Sequence, residues 1–340
     1  MRFPKNLDNG QTIGFVAPSF GCATEPYKSA FDNAIKKFKS MGYGINLGPN
    51  CYADKGIGIS NSPEECGQEL TSYYMSGDSD ALISCGGGEL MCETVDYIDF
   101  DALMKADPKW FMGYSDNTNF TFLSTTLMDT AAIYGPCAAA FGMEPWHPAI
   151  EDALSLLKGN KLTFTGYDGW EMDGLKDEDH PCLPYNITET STIRTFPEGD
   201  ISMSGRLLGG CIDCLVTLLG TKYDQVSSFT KKYKEDGILW FLEACELSPI
   251  ALRRAMWQMD NAGWFENCSG FIFGRPLLFG QNFMGLDHYK AVVDIISKYN
   301  VPILMDADIG HHPPMIPIVS GAIGHLVTTG NTYKLNMDLS

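Results

Sequence analysis

The chain has 340 residues, 44% of them hydrophobic, and carries a formal net charge of −18. That length and apolar content suit two ordinary cores better than one large one, so two domains are expected, while the acidity repels phosphate backbones and anionic lipid surfaces and argues against nucleic-acid and membrane partners. Met1-Arg2-Phe3-Pro4-Lys5 leads into polar residues without the apolar stretch of a secretory signal, and no run reaches the about 18 apolar residues of a membrane span. Eleven cysteines without a disulfide-like rhythm then fit reduced thiols and a cytoplasmic setting.

In chain order, Thr12 to Ala17 is a short buried strand broken by Pro18-Ser19. Phe31, Ala34, Ile35 and Phe38 recur at helical spacing, and Gly42 ends that helix. Tyr43 to Leu47 is a second strand. Ser62-Pro63-Glu64-Glu65 is a capping box with proline at the first helical position, opening a helix that runs to about Gly77. Ala81 to Cys85 is a third strand, followed at once by Gly86-Gly87-Gly88; Trp110 to Tyr114 is a fourth and Ala131 to Pro136 a fifth. Strands alternating with helices predict a parallel α/β sheet, whose ligands gather beyond the carboxyl ends of the strands. Pro18-Ser19, the triple glycine and Ser115 all fall at such ends. The glycines lack the spacing of a dinucleotide fingerprint and the lysine of a phosphate loop, so they read as a tight turn where backbone approaches something closely.

Ser115 sits between an apolar strand and the polar triplet Asp116-Asn117-Thr118, at a strand–turn–helix junction. A serine there is either a helix cap or a nucleophile whose hydroxyl is exposed beside helix-opening N–H donors. From Tyr167 to Asp200 the periodicity fades into an acidic, proline-bearing stretch, a linker or lid in which Trp170 packs or stacks on a ligand. Ser202 to Gly210 leads into a helix ending near Gly220-Thr221. Gly237 to Glu243 is a buried strand ending in a carboxylate, Ser248-Pro249 opens a helix, and Phe271 to Arg275 is a strand. A helix over Leu286 to Tyr299 precedes the strand Pro302 to Met305, and residues around Gly330-Asn331 close the chain as a hairpin. Cys211-Ile212-Asp213-Cys214 has no companion pair and reads as packing; the sequon Asn186-Ile187-Thr188 has no use in the cytoplasm.

Two chemistries compete for the histidine-rich stretch after the last parallel strand. Asp306, Asp308, His311 and His312 together suit a zinc or manganese site of a metal-dependent hydrolase. Alternatively one histidine is the general base for Ser115, with Glu243 on its far nitrogen, because an acid ending so apolar a strand is costly unless paired. An ordinary pairing of Glu243 with Arg275 is the bland counterpart.

The sequence resembles the LD-carboxypeptidase and microcin C immunity serine peptidases over nearly its whole length. Ile13 to Ser19 is similar to that family's opening strand, and Cys85 to Gly88 followed by Tyr97-Ile98-Asp99 to its glycine turn. Gly113-Tyr114-Ser115-Asp116 resembles its nucleophile motif, and Gly205 to Gly210 with Gly220-Thr221 its second-domain entry. Leu242-Glu243, Phe273-Gly274-Arg275 and Asp308-Ile309-Gly310-His311 resemble its later motifs. The resemblance implies a Ser115–Glu243–His311 triad and an oxyanion hole from the backbone N–H of Asp116 and one in the glycine turn, Gly87. It implies no cofactor and no metal, and an active site between two domains, often in a homodimer. The fold expected is α/β: an amino-terminal Rossmann-like (flavodoxin-like) parallel-sheet domain over 1–165, a linker or lid over 166–200, and a smaller α/β domain over 201–340. Gly88, Trp170 and Arg275 are candidate substrate contacts, Trp170 through stacking on an adenine.

The chain departs from the family's pattern at His312, where a small hydroxyl residue is common, and at Ile316 to Gly321, where Val319-Ser320 is interposed before the glycine. The glycine turn also lacks the arginine common in the muropeptide-cleaving branch. The expected substrate is therefore a small peptide or aminoacyl conjugate, either a cell-wall tetrapeptide ending in a D-amino acid or a nucleotide-linked peptide antibiotic. The rival from another class is a non-catalytic binding protein using the same cleft.

Overall fold

A computed structural model describes all residues from Met1 to Ser340. The chain divides into two compact units, one of Met1–Lys161 with Asp173–Asn186, the other of Leu162–Met172 with Ile187–Ser340. The stretch read from sequence as a linker or lid is thus shared between them, and parts of it pair as strands. Gly169–Trp170 pairs antiparallel with Glu189–Thr190 in the second unit.

In the first unit, β1 (Thr12–Val16), β2 (Gly44–Leu47), β3 (Ala81–Ser84), β4 (Trp110–Gly113) and β5 (Ala132–Tyr134) form a parallel array. The pairings run β2-β1-β3-β4-β5, the flavodoxin-like order. Its order reverses between β1 and β3, so the Pro18-Ser19 loop and the triple glycine leave from the two strands flanking the switch point. The apolar runs of β1, β3, β4 and β5 are buried on both faces, as a helix-covered parallel sheet requires, while the edge strand β2 is only partly covered. Helix α1 (Tyr27–Ser40) buries Ala30, Phe31, Ala34, Ile35 and Phe38, and so turns one stripe to the core. Helix α2 (Pro63–Met75) begins as its capping residues foretell: the Ser62 hydroxyl accepts from Glu65 N at 3.3 Å. The box is modified, because Glu65 bonds the Ser62 hydroxyl while Ser62 N–H donates to Asn61 Oδ1 at 3.0 Å. A short helix α3 (Phe100–Lys105), absent from the sequence reading, is capped by Asp99, which accepts from Ala102 N at 2.9 Å.

Helix α4 (Thr118–Thr126) follows the Ser115 turn and is buried along almost its full length. Phe120 locks it to the sheet, meeting Phe111 of β4 edge-to-face at 4.8 Å and Tyr74 of α2 at 6.0 Å. Val16, Leu70, Leu82, Leu103 and Met128 belong to the same cluster.

The second unit is built on an eight-stranded mixed sheet. Its parallel centre is β8 (Ser202–Cys211), β9 (Ile238–Glu243), β10 (Cys268–Gly274) and β11 (Ile303–Ala307). Antiparallel strands flank it: β7 (Arg194–Phe196) beside β11, and on the other side β12 (Ile323–Thr329), β13 (Thr332–Asp338) and β6 (Thr163–Thr165). The closing hairpin turns through Gly330 and Asn331, with Thr329 opposite Thr332. Ser202 to Gly210, read from sequence only as the lead into a helix, forms β8, glycines included. They are needed in the strand: a Cβ at Gly209 would lie 1.7 Å from the Phe241 carbonyl oxygen. No helix is long and apolar enough to cross a membrane.

Because Phe120 fixes the helix behind Ser115, Phe120→Ala should destabilise the chain by about 3–5 kcal/mol, the usual cost of emptying an aromatic core site. A urea titration followed by tryptophan fluorescence measures it.

Candidate active site

The first unit supplies the serine. Strand β4 ends at Gly113, Tyr114 is extended, and Ser115 takes the left-handed backbone conformation at φ 61° before the tight turn Ser115–Asn117 and α4. A left-handed non-glycine residue costs on the order of 1–2 kcal/mol and persists only where its surroundings over-determine it. Here they do. Ser115 N–H donates to the Tyr134 hydroxyl at 3.3 Å. The neighbouring Asp116 is 3% exposed, and its carboxylate is gripped by three neutral donors. Ser19 Oγ donates to Oδ2 at 2.6 Å, Met91 N to Oδ2 at 2.9 Å and Asn119 Nδ2 to Oδ1 at 3.0 Å. The turn is therefore anchored to the loop after β1 and to the one-turn helix Met91–Thr94.

The triple glycine lies against this turn. A Cβ at Gly87 would come within 3.0 Å of Ser115 Cβ and 3.1 Å of its Oγ, so only glycine leaves clearance over the hydroxyl. A Cβ at Gly88 would meet Ser19 Oγ at 2.2 Å, so Gly88 makes room for the hydroxyl that holds Asp116.

The second unit supplies an acid and an imidazole. Glu243 ends β9 with 1% exposure, and its Oε2 lies 2.9 Å from His311 Nδ1. The contact depends on two glycines. A Cβ at Gly310, which has φ 102°, would come within 2.6 Å of Glu243 Oε2, and one at Gly274 would meet the Ile309 carbonyl oxygen at 2.0 Å. Burial works against charge on His311, but the Glu243 carboxylate outweighs it, aided by the neighbouring Cys245 side chain. The imidazole is held well above the usual histidine range.

Asp306, Asp308, His311 and His312 do not converge, contrary to the metal-centre alternative. Asp306 accepts from the Tyr289 hydroxyl at 2.5 Å and lies 3.2 Å from His288 Nε2. Asp308 is paired with the Arg275 guanidinium and accepts from Tyr167 N at 2.8 Å and the Tyr333 hydroxyl at 3.2 Å. His311 faces Glu243, and the His312 ring nitrogens face the carbonyls of Glu171 and Leu277, each at 3.1 Å. Burial lowers the His312 pKa, leaving it neutral and occupied with backbone. Each donor is turned to a different partner, and no group of three or more His, Cys, Asp or Glu side chains could hold a metal ion.

The three candidate substrate contacts each have defined surroundings. Arg275 is 2% exposed, pairs with Asp308 rather than Glu243, and donates from Nη1 to the Asp306 carbonyl at 2.7 Å. Trp170 is 4% exposed, enclosed by Phe279 at 5.3 Å, His312 at 4.8 Å and the Arg275 guanidinium at 5.2 Å. Gly88 is occupied with Ser19. All eleven cysteines are free thiols, and Cys211 of the CxxC is buried with its pKa raised well above the usual value, first by Cys214 and then by burial. Sequence reading passed over Asp213, which accepts from Cys245 N at 3.0 Å and Glu246 N at 2.8 Å and so fixes the chain just past Glu243. It passed over the anchors of Asp116 as well; the one signal for Ser19 was its place at a strand's carboxyl end.

The chain is thus a two-unit α/β protein whose first unit carries a strand–turn–helix serine under a glycine turn and whose second carries a buried carboxylate–imidazole pair. The chain belongs to the LD-carboxypeptidase family: residues 13–135 match its N-terminal domain and residues 204–326 its C-terminal domain. A Vibrio cholerae protein carrying a carboxypeptidase name is 26% identical over 98% of both chains. A Bacillus subtilis protein named as a murein peptide carboxypeptidase is 23% identical over 99% of this chain and 95% of its own. Among solved structures, the MccF-like protein of Bacillus anthracis superposes with a TM-score of 0.81 at 19% identity, covering 99% of this chain and 100% of the other. MccF in complex with glutamyl sulfamoyl guanosine gives 0.80 at 20% identity over 98% of each. At such identities these likenesses establish the fold.

The raised His311 pKa has a direct check. Its imidazole should titrate clearly above pH 6.5 by NMR in the native protein, and Glu243→Gln should bring the midpoint down, because the carboxylate that favours the cation is gone. An unchanged midpoint would mean that the pair does not set the charge.

Proposed function

We propose that the protein is a serine carboxypeptidase-like hydrolase in which Ser115 is the nucleophile, His311 the general base and Glu243 the residue that orients it. The observation that carries this reading is the buried Glu243–His311 pair at 2.9 Å. With Nδ1 oriented by the Glu243 carboxylate, Nε2 is the nitrogen we assign to the proton transfer. Ser115 Oγ attacks the substrate carbonyl as its proton passes to His311 Nε2. The oxyanion is received by the N–H groups of Asp116 and Gly87. His311 then returns the proton to the leaving amine, and water hydrolyses the acyl-enzyme by the same route. Neutral imidazole is the base, so a raised His311 pKa makes activity rise as pH climbs through it.

For the substrate we propose a small peptide or aminoacyl conjugate. The name of the Bacillus subtilis relative supports a cell-wall peptide. The glutamyl and aspartyl sulfamoyl nucleosides in MccF structures support an aminoacyl–nucleotide conjugate. Mass spectrometry after incubation with a tetrapeptide ending in a D-amino acid and, separately, with an aminoacyl sulfamoyl nucleoside decides between them. A ligand that raises Tm without any product would instead favour a binding protein.

Ser115→Ala should cut turnover by several orders of magnitude and abolish fluorophosphonate labelling while leaving Tm intact. His311→Ala should be comparably damaging and His312→Ala mild. Near-wild-type hydrolysis by Ser115→Ala sinks the mechanism, and the reverse order of the two histidine variants would mean that His312 is the base.

A further inference from the structure

Between the nucleophile turn and the glycine turn lies one fully buried side chain that the mechanism above does not use. Asn117, at the last position of the turn, is wholly inaccessible. Its amide nitrogen donates to the Gly86 carbonyl at 2.8 Å and to the Tyr114 carbonyl at 3.1 Å, with Cys137 Sγ at 3.6 Å. The amide orientation follows from these neighbours, since the opposite flip would set its oxygen against two carbonyl oxygens. The other amide atom, Oδ1, is buried with no hydrogen-bond partner. An unsatisfied buried acceptor costs on the order of 1–3 kcal/mol, so Asn117 is a poor choice for stability alone. Gly113 is shaped to it as well: a Cβ there would meet Asn117 Cγ at 2.8 Å and Cβ at 2.9 Å.

The two carbonyls that Asn117 holds matter for where N–H groups point. In a trans peptide the carbonyl and the N–H face opposite ways. Drawing the Gly86 carbonyl toward Asn117 therefore turns the Gly87 N–H the other way. The Ser84 hydroxyl bonds the same oxygen at 3.0 Å and helps fix that peptide. The next peptide is fixed separately, because Phe20 N donates to the Gly87 carbonyl at 2.9 Å. The Tyr114 carbonyl belongs to the peptide whose N–H is that of Ser115, so one side chain clamps the peptide entering the nucleophile and the peptide that aims the glycine donor. Gly87 itself lies directly over Ser115.

We propose that Asn117 is the positioning residue of the oxyanion hole, joining the nucleophile turn to the glycine turn and aiming the Gly87 N–H. This rests on the serine-hydrolase reading above. Asn117→Leu tests it, because leucine nearly matches asparagine in shape while removing both donors and the unpartnered oxygen. The measurements are the rate of fluorophosphonate labelling of Ser115 by intact mass, kcat and KM separately on whichever substrate is turned over, inhibition by an aryl boronic acid, and Tm. Labelling and kcat should fall at least about 10-fold, toward the ~10²–10³-fold typical of a lost oxyanion donor, with KM little changed. The boronic acid, whose adduct is tetrahedral, should weaken in parallel.

A folded Asn117→Leu protein that labels at the wild-type rate overturns the proposal. So does a loss that appears in KM alone. If Asn117→Leu fails to fold, Ser84→Ala decides: it removes the second donor to the same Gly86 oxygen, and slower labelling at unchanged Tm supports the proposal whereas wild-type labelling overturns it. Wild-type protein that resists fluorophosphonate altogether is a different result, removing the serine-hydrolase reading and this role with it.

Discussion

Several residues of the second unit converge on one buried contact, the carboxylate of Glu243 against His311. Leaving an ionised carboxylate at the end of an apolar strand without a partner would cost several kcal/mol. The pair offsets that cost and fixes the imidazole in one orientation at the same time. His311 reaches the acid only because Gly310 and Gly274 lack side chains where the two backbones meet. Asp308, held by Arg275, Tyr333 and Tyr167, secures the chain three residues before the histidine. Asp308, which in sequence looked like a metal ligand, thus helps to keep the imidazole in place.

The first unit solves a similar problem by the same means. Ser115 occupies a left-handed backbone conformation that its own side chain does not favour, and the surrounding bonds hold it there. Asp116 is held from one side by Ser19 and Met91, and Asn117 from the other by the carbonyls of Gly86 and Tyr114. In both units, glycines supply close approach and buried polar side chains supply direction. A buried polar network is costly when incomplete and rigid when satisfied, so such anchors suit the parts of a molecule that must not drift.

How legible all this was depended on the range of the interaction concerned. The strand–helix alternation of the first unit follows from local periodicity, and the flavodoxin-like order agrees with it. The capping of α2 is written in Ser62-Pro63-Glu64-Glu65, although Glu65 bonds the serine hydroxyl and not its N–H. Strand β8 was read only as the lead into a helix, because the lack of space beside Phe241 that demands Gly209 leaves no local pattern. Asp306 and Asp308 were ambiguous because adjacency in sequence does not say which way side chains point. Along β11 and beyond it they turn to His288 and to Arg275 respectively, and the metal alternative disappears.

The sequence alone determined the α/β class, the place of Ser115 at a strand–turn–helix junction, and the family through ordered motifs, since each of these is encoded in residues near one another along the chain. It also singled out Glu243, because a charge that ends an apolar strand is conspicuous wherever the chain folds. Only the tertiary structure decided which group that charge faces, that Trp170 and Arg275 are enclosed by their own unit, and that Asn117 bridges two turns 31 residues apart. Partners so far apart along the chain leave no local pattern. What selects them is the geometry of burial, in which every polar group taken from water must find whatever donor or acceptor the fold brings beside it.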